Sequence, residues 1–385
     1  MIPYGKQDIS QADIDAVTEV LGSDFLTQGP VVPRFEELVK TSVGAGFSVA
    51  VNSATSALHI ACLALDLGPG DRLWTSPITF VASANCALYC NALVDFVDID
   101  PTTYNLCPQA LEQKLIAAEL AGVLPKIVVP VHLAGQSCDM KAIKALSNRF
   151  GFRIIEDASH AIGAAYGDEK VGSCHYSDIT VFSFHPVKII TTAEGGMAVT
   201  NDPVLAGKME RLRSHGITRD PHLMTHTPHG PWYYQQIELG FNYRMTEMQA
   251  ALGCSQMTRL HEFIERRQQL AAQYAELLND LPLMLPYQLE TTASSWHLYI
   301  IRLQLSELSK SHLDVFNELR SAGIGVNLHY IPVHLQPYYR QMGFADGDFP
   351  HAEQYYQEAI SIPLFHAMTD EQQLQVATSL RRILI

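Results

Sequence analysis

Residues 126–157 read KIVVPVHLAGQSCDMKAIKALSNRFGFRIIED. Two short apolar runs, Lys126–Val131 and Arg153–Glu156, flank a helical stretch that begins at Met140. A buried strand, a helix and a second buried strand make a βαβ unit, which joins parallel neighbours. The same alternation runs on both sides of this stretch. Strands are expected at Phe47–Val51, Arg72–Thr75, Leu93–Val97, Ile179–Phe184 and Met197–Thr200, with helices starting at Thr55, Phe80 and Pro108. Repeated βαβ units predict an α/β fold whose mostly parallel sheet carries helices on both faces. Ligands of such sheets bind beyond the carboxyl ends of the strands, so the chemistry is sought there.

The flanking regions read differently. The opening segment, Tyr4–Gln28, holds one amphipathic helix around Ile14–Leu21, and Asp24–Pro30 reads as a turn and loop. From Met245 to about Leu278 a helical pattern runs without proline, with Gly253 its only interruption. After Pro282 a smaller α/β unit is expected. It has strands at Leu298–Gln304 and Gly325–His329 and helices near Leu313–Ala322, Ala352–Ala359 and Asp370–Arg382. The chain therefore divides into an N-terminal segment 1–30, a large domain 31–245, and a long linking helix with a small C-terminal α/β domain, 246–385.

Composition narrows the function. With 47% apolar and 17% charged residues among 385, the chain has ample core and is not a disordered polymer. A net charge of −14 disfavours binding to nucleic acid or anionic membrane surfaces by bulk charge. The longest apolar runs, such as Ile127–Val131, are far shorter than the ~18 residues a membrane span needs. The opening MIPYGKQDIS has neither the basic nor the apolar region of a secretion signal. Seven scattered cysteines contain no C-x-x-C pair, which suits reduced thiols and a cytoplasmic location. Gly68-Pro-Gly70-Asp-Arg-Leu73 lacks the third glycine of a dinucleotide fingerprint and precedes a strand instead of following one. No P-loop pattern occurs.

Four strand ends carry the residues of interest. Ser183-Phe-His-Pro-Val-Lys188-Ile-Ile-Thr-Thr-Ala-Glu-Gly-Gly196 places a lysine among Val187, Ile189 and Ile190. An apolar collar disfavours the ammonium form and frees a nucleophilic amine able to form a Schiff base with an aldehyde. A loop lysine that snorkels to solvent is the alternative. Arg153-Ile-Ile-Glu-Asp157-Ala-Ser-His160 ends a buried strand in an acidic pair. With pyridoxal phosphate as ligand, Asp157 would keep the pyridine nitrogen protonated and make the ring an electron sink; otherwise Asp157 or Ser159 caps the next helix. His160 reads as a supporting or core histidine rather than an acid. Asn52-Ser-Ala54-Thr55-Ser56 joins a strand to a helix whose N-terminus suits a phosphate, with Thr55 and Ser183 as hydroxyl donors. A plain Ser/Thr cap is the other reading. Phe80, between Thr79 and the next helix, can lie flat on a cofactor ring or pack in the core. Phosphate turn, aromatic, Asp157 and Lys188 occur in this order at successive strand ends, and no single structural role explains the set.

The stretches NSATSALHIA, SPITFVASAN, EDASHAIGA, TVFSFHPVKIITTAEGG, RSHGI and GFNYRMTEMQAALG resemble the sugar aminotransferases of the DegT/DnrJ/EryC1/StrS family, over nearly the whole chain. That family has the fold of type I pyridoxal-phosphate-dependent transferases, a large α/β domain and a smaller C-terminal one. The FLTQG, NSATSAL, FSFH-x-x-K-x-ITTAEGG and SWHLY segments look most like the branch serving pseudaminic acid synthesis. Its members move an amino group from L-glutamate to C4 of a UDP-linked 4-keto-6-deoxy-N-acetylhexosamine. The resemblance implies that Lys188 carries the cofactor and shuttles protons. It implies that Asp157 pairs with the pyridine nitrogen, Phe80 stacks on the ring, and Ala54, Thr55 and Ser183 bind the phosphate. His160 and Gln136 would border the ring, and Asn242 would reach the phosphate from the neighbouring subunit of a homodimer with shared active sites. Tyr4, the loop Asp24, Phe25, Leu26 and Thr27, and the strand Val326, Asn327, Leu328, His329 and Tyr330 would line the sugar-nucleotide pocket. Relatives that deoxygenate C3 carry histidine at the lysine position, so Lys188 disfavours a dehydratase. Relatives that aminate C3 or use TDP sugars share nearly all these motifs. A protein that keeps the lysine as a non-catalytic sensor is a remote alternative.

His222, His226 and His229 have a spacing that could ligate zinc, but no cysteine or carboxylate completes a set, and this Pro-rich stretch reads as an active-site loop. Arg219 at its start could meet a pyrophosphate or face solvent. Glu262–Arg267 reads as the exposed face of the long helix.

Overall fold

Val49, Ala50 and Val51 are fully buried, as are Ile127, Val128 and Val129, so these runs are covered on both sides. The computed structural model describes residues 1–385 and pairs these runs within one seven-stranded sheet. The chain supplies β1 (Phe47–Val51), β2 (Arg72–Thr75), β3 (Leu93–Phe96), β4 (Ile127–Val129) and β5 (Arg153–Asp157). After a small hairpin of β6 (Ala165–Tyr166) and β7 (Glu169–Lys170) come β8 (Ile179–Ser183) and β9 (Gly196–Thr200). The order across the sheet is β1-β9-β8-β5-β4-β2-β3. β9 runs antiparallel to β1 and β8, and every other pairing is parallel.

Helices cover both faces, as repeated βαβ units require. α1 (Gln11–Leu21) and α2 (Val31–Val43) precede the sheet. Within it come α3 (Ala54–Ala64), α4 (Ala82–Tyr89), α5 (Pro108–Ala121) and α6 (Met140–Phe150), followed by α7 (Pro203–Leu212). A short hairpin of β10 (Ile217–Thr218) and β11 (Gln235–Gln236) leads to α8 (Glu247–Met257) and α9 (Leu260–Leu278). The period of two along each strand sorts side chains between faces. Val51, Val129, Ile155 and Val181 pack with α3, α4 and α7. Val128 and Ile154 pack with α5 and α6, and Ala50 and Phe182 with α2 and α8. The same alternation puts Asp157 and Ser183 on the α3 side and Glu156 on the α5/α6 side.

The C-terminal unit is a three-stranded antiparallel sheet. β14 (Tyr299–Leu303) lies between β12 (Leu283–Met284) and β15 (Ala359–Ile362), and β13 (Thr292–Ala293) pairs with β6. Tyr299, Ile301 and Leu303 pack against α9, α10 (His312–Ser321) and α13 (Asp370–Leu384). Leu298 and Ile300 pack with Ile78, Phe96 and Leu133 of the large sheet's surroundings. α11 (Pro337–Arg340) and α12 (Pro350–Glu358) complete this side. No helix is long and apolar enough to cross a membrane.

Three local expectations change. The helical pattern from Met245 does not run through to Leu278 but breaks at Thr258 and Arg259. Thr258 donates its hydroxyl to the Ser255 carbonyl at 2.6 Å, and the Arg259 guanidinium reaches back to Asp8 and Asp13. Gly253 lies within α8, and the Phe35 ring stands 2.6 Å from where a Cβ would sit, so a side chain there would collide with α2. Gly325–His329 is not a strand: Asn327 exchanges two backbone bonds with Ser361 and Gly325 N donates to Ile2 O, but these isolated bridges do not extend into a ladder. α2 and α7 lie outside the elements read from the sequence.

α2 has no side-chain cap of its own, since Pro30 occupies the position. The fully buried Glu247 supplies it from α8, accepting from Val31 N at 2.6 Å and Val32 N at 3.3 Å. Replacing Glu247 by Ala strands one buried and one half-buried donor and should lower stability by about 1–3 kcal/mol, read as a lower denaturant midpoint at unchanged slope.

Candidate active site

β1 ends where Ser53 caps α3, its hydroxyl accepting from Ser56 N at 3.1 Å. β9 runs hard against this turn. A Cβ on Gly196 would sit 2.5 Å from Ala54 N and from Ser53 backbone atoms, so only glycine lets the two backbones meet. The amides that open α3, at Ala54 and Thr55, have no carbonyl one turn back to bond, and the helix dipole adds positive potential there. Thr55 and Ser183 border the same space.

Asp157 closes β5 and is 4% exposed. Its Oδ2 accepts from Ser83 Oγ at 2.6 Å, and its Oδ1 accepts from Ser159 Oγ at 2.6 Å and Ser159 N at 3.1 Å. Three hydrogen bonds fix the carboxylate's orientation; the helix that Asp157 or Ser159 was expected to cap is absent, because residues 158–164 run as turns into β6. Lys188 sits on the loop between β8 and β9. Burial pulls its amine down to about 8, with the charge of Asp157 opposing that fall. A lysine so placed is part free amine near neutral pH.

Two histidines stay neutral beside it. Burial first, then the charge of Lys188, hold His160 well below its ordinary value and bring His329 down to about 3. His160 Nδ1 accepts from Ala134 N at 3.2 Å, so its proton lies on Nε2, 3.1 Å from the Tyr330 hydroxyl. Burial pushes the Tyr330 phenol up, so it keeps its proton. Phe80 is 59% exposed although it lies at a strand end next to the core, and its ring centroid is 6.3 Å from that of Tyr330.

These groups surround one cavity of about 570 Å³. Of the residues singled out from the sequence, it brings together Tyr4, Ala54, Thr55, Phe80, Asp157, His160, Ser183, Lys188 and the run Asn327–Tyr330. The others lie elsewhere. Gln136 is buried outside the cavity with its amide consumed: Nε2 donates to Tyr287 O, and Oε1 accepts from Leu289 N and Thr292 Oγ1. Val326 turns its side chain into the core of the small unit. Asp24, Phe25, Leu26 and Thr27 stand exposed on the loop between α1 and α2, and Asn242 is exposed beside Ser214. His222, His226 and His229 are exposed on turns. No group of three His, Cys, Asp or Glu side chains converges anywhere on a metal-sized site. Sequence reading missed Ser83, which holds Asp157 from α4, and Glu194, a carboxylate on the cavity lining. Glu194 lay inside the quoted lysine motif; Ser83 carried no local signal, since a serine inside a helix is common.

The donor set suits a flat cationic ring with a phosphate arm. The lining offers helix-opening amides and hydroxyls, a carboxylate held by three hydrogen bonds, an exposed aromatic ring and an amine whose proton burial loosens. That is the outline of pyridoxal phosphate. The sequence profile of the DegT/DnrJ/EryC1/StrS aminotransferase family matches residues 7–381. The spore coat polysaccharide biosynthesis protein SpsC of Bacillus subtilis is 38% identical over 387 residues, which span 99% of this chain and 97% of SpsC. Helicobacter pylori PseC, an aminotransferase involved in the biosynthesis of pseudoaminic acid, superposes with a TM-score of 0.91 at 31% identity, covering 100% of this chain and 99% of that one. The PLP form of a putative sugar aminotransferase from Streptococcus pneumoniae gives 0.87 at 28% identity, with 100% of each chain covered.

Reductive methylation with limiting formaldehyde, followed by peptide mass mapping, should label Lys188 with a pH midpoint near 8, against roughly 10.4 for an ordinary lysine. Asp157 raises the Lys188 value, so Asp157→Asn should move that midpoint lower still. A midpoint shared with the surface lysines contradicts the assignment.

Proposed function

The chain belongs to the DegT/DnrJ/EryC1/StrS aminotransferase family of pyridoxal-phosphate-dependent sugar aminotransferases, and from that premise we propose that it transfers the amino group of L-glutamate to C4 of a UDP-linked 4-keto-6-deoxy-N-acetylhexosamine. The observation that carries the proposal is the likeness to PseC along the entire chain. Glutamate and the keto sugar would use the one cavity in turn.

Pyridoxal phosphate, when bound, supplies an aldehyde for amino groups and a ring that draws electrons from the adjacent carbon. The protein's share is binding, orientation and proton transfer. Ala54, Thr55 and Ser183 would hold the phosphate at the α3 N-terminus. Asp157, immobilised by Ser83 and Ser159, would hold a proton on the ring nitrogen. Phe80 would cover one ring face. Lys188 Nζ, with its value near 8, would take a proton from the glutamate α-carbon and later return one to the sugar carbon. His160 and His329, both neutral, would add no charge competing for the substrate's anionic groups. Tyr4 and Asn327–Tyr330 would face the sugar nucleotide.

The phosphate end of the cavity has no Lys or Arg of its own chain apart from Lys188. An Asn242 exposed outside that cavity fits a homodimer in which the partner subunit's Asn242 completes the phosphate site. SpsC supports a second reading. A relative named for spore coat polysaccharide is 38% identical against 31% for PseC, so the likeness to PseC does not single out one sugar, and a related nucleotide-sugar aminotransferase acting at C3 or on a TDP-keto sugar is the second reading.

Purified protein incubated with glutamate, pyridoxal phosphate and the UDP-4-keto sugar should release 2-oxoglutarate and yield a sugar whose NMR spectrum places the amine on C4. Lys188→Ala should reduce turnover by at least ~100-fold. Amination at C3, or turnover of TDP sugars alone, selects the second reading. No conversion of any keto sugar overturns both.

A further inference from the structure

Glu156 precedes Asp157, so the pleat sends its side chain through the sheet to the α5/α6 side, away from the cavity. There it is 4% exposed. Burial pushes its carboxyl up, but hydrogen bonds outweigh that and hold it below the ordinary range. The donors are His132 Nε2 at 2.7 Å, Ser177 Oγ at 2.5 Å and Thr180 Oγ1 at 3.1 Å. His132 is fully buried, and Cys138 N points its hydrogen at Nδ1 from 3.1 Å. Burial lowers the ring's pKa, but its contacts with Cys138 and Glu156 outweigh that and raise it to about 10; the Cys138 N–H aimed at Nδ1 leaves Nε2 to donate to Glu156.

None of the steps above uses this pair, yet it ties together the strand ends that carry the site. His132 follows β4, Glu156 lies in β5, and Ser177 and Thr180 stand at the start of β8. His132 N donates to the Asp157 carbonyl at 3.1 Å, and Asp157 N donates to Pro130 O at 2.9 Å. Two residues past His132 the chain passes through Ala134 in the left-handed region, φ 58°. The Ala134 amide is the group that donates to His160 Nδ1. Apolar side chains of equal volume would fill the same space, but dispersion has no direction, whereas the three hydrogen bonds to Glu156 fix specific atoms of three strand ends against one another.

We infer that the buried His132–Glu156 pair is a positioning device that registers the ends of β4, β5 and β8, so that Asp157 and His160 present their polar atoms to the cofactor in one geometry. The inference rests on the role proposed for Asp157, so Asp157→Asn serves as its control. Glu156→Gln keeps the shape and removes the charge. His132→Leu removes the donor, whereas His132→Gln keeps an N–H close to the Nε2 position. The holoenzymes are stripped, retitrated with pyridoxal phosphate, and followed by visible circular dichroism of the bound cofactor. Glu156→Gln and His132→Leu should weaken cofactor affinity ~10–100-fold, the range seen when partners that orient metal ligands are lost. They should also diminish the dichroism and lower kcat at unchanged KM for the keto sugar, and His132→Gln should restore most of each. Wild-type affinity and dichroism in Glu156→Gln, with only the melting temperature lowered, would reduce the pair to a packing element. If His132→Leu fails to fold, the nearly isosteric Glu156→Gln decides the matter. Wild-type behaviour of Asp157→Asn would overturn the role of Asp157 itself and not merely its support.

Discussion

The site depends on a carboxylate and an amine held in one poorly solvated cavity. Burial makes the ammonium form of Lys188 costly, and the charge of Asp157 restores part of that cost. The balance leaves the amine near 8, between an ordinary lysine and a fully desolvated one. Either group alone would be less useful. Without Asp157 the amine would lose its proton too readily to return it, and without burial it would rarely be free. Asp157 can do this because Ser83 and Ser159 satisfy its oxygens without neutralising it.

The surrounding fold supplies what that pair cannot. The end of β1 and the start of α3 give a phosphate site built from dipoles and hydroxyls. This spares the chain a second buried cation close to Lys188, which would lower the amine further. Gly196 makes that site possible by letting β9 touch the Ser53–Ala54 backbone. The far side of the sheet contributes as well. A buried histidine and an ionised glutamate join β4, β5 and β8 on the face of the sheet away from the cavity.

The fold was readable because its signals are local. Apolar runs of strand length alternating with helical stretches predict a mostly parallel sheet, and the observed β1, β2 and α6 begin and end or begin where those patterns do. The errors arose where a tertiary contact overrode a local pattern. The helix from Met245 breaks at Thr258 because Arg259 is drawn to Asp8 and Asp13, some 250 residues away in the chain. Gly253, the one interruption in that pattern, stays within α8 and leaves room for the Phe35 ring of α2. Gln136 stands near the right strand end, but partners at Tyr287, Leu289 and Thr292 take up its amide.

What the sequence alone determined is the set of reactive groups and the ends of strands on which they ride. Strand, turn and helix signals act over a few residues and place Thr55, Phe80, Asp157 and Lys188 on the same edge of the sheet. Only the tertiary structure decided which of them share a cavity, which protons they hold, and what supports them from behind. Those properties depend on desolvation and on hydrogen bonds between residues distant in the chain, such as Ser83 with Asp157 and Tyr330 with His160, and no local pattern encodes them.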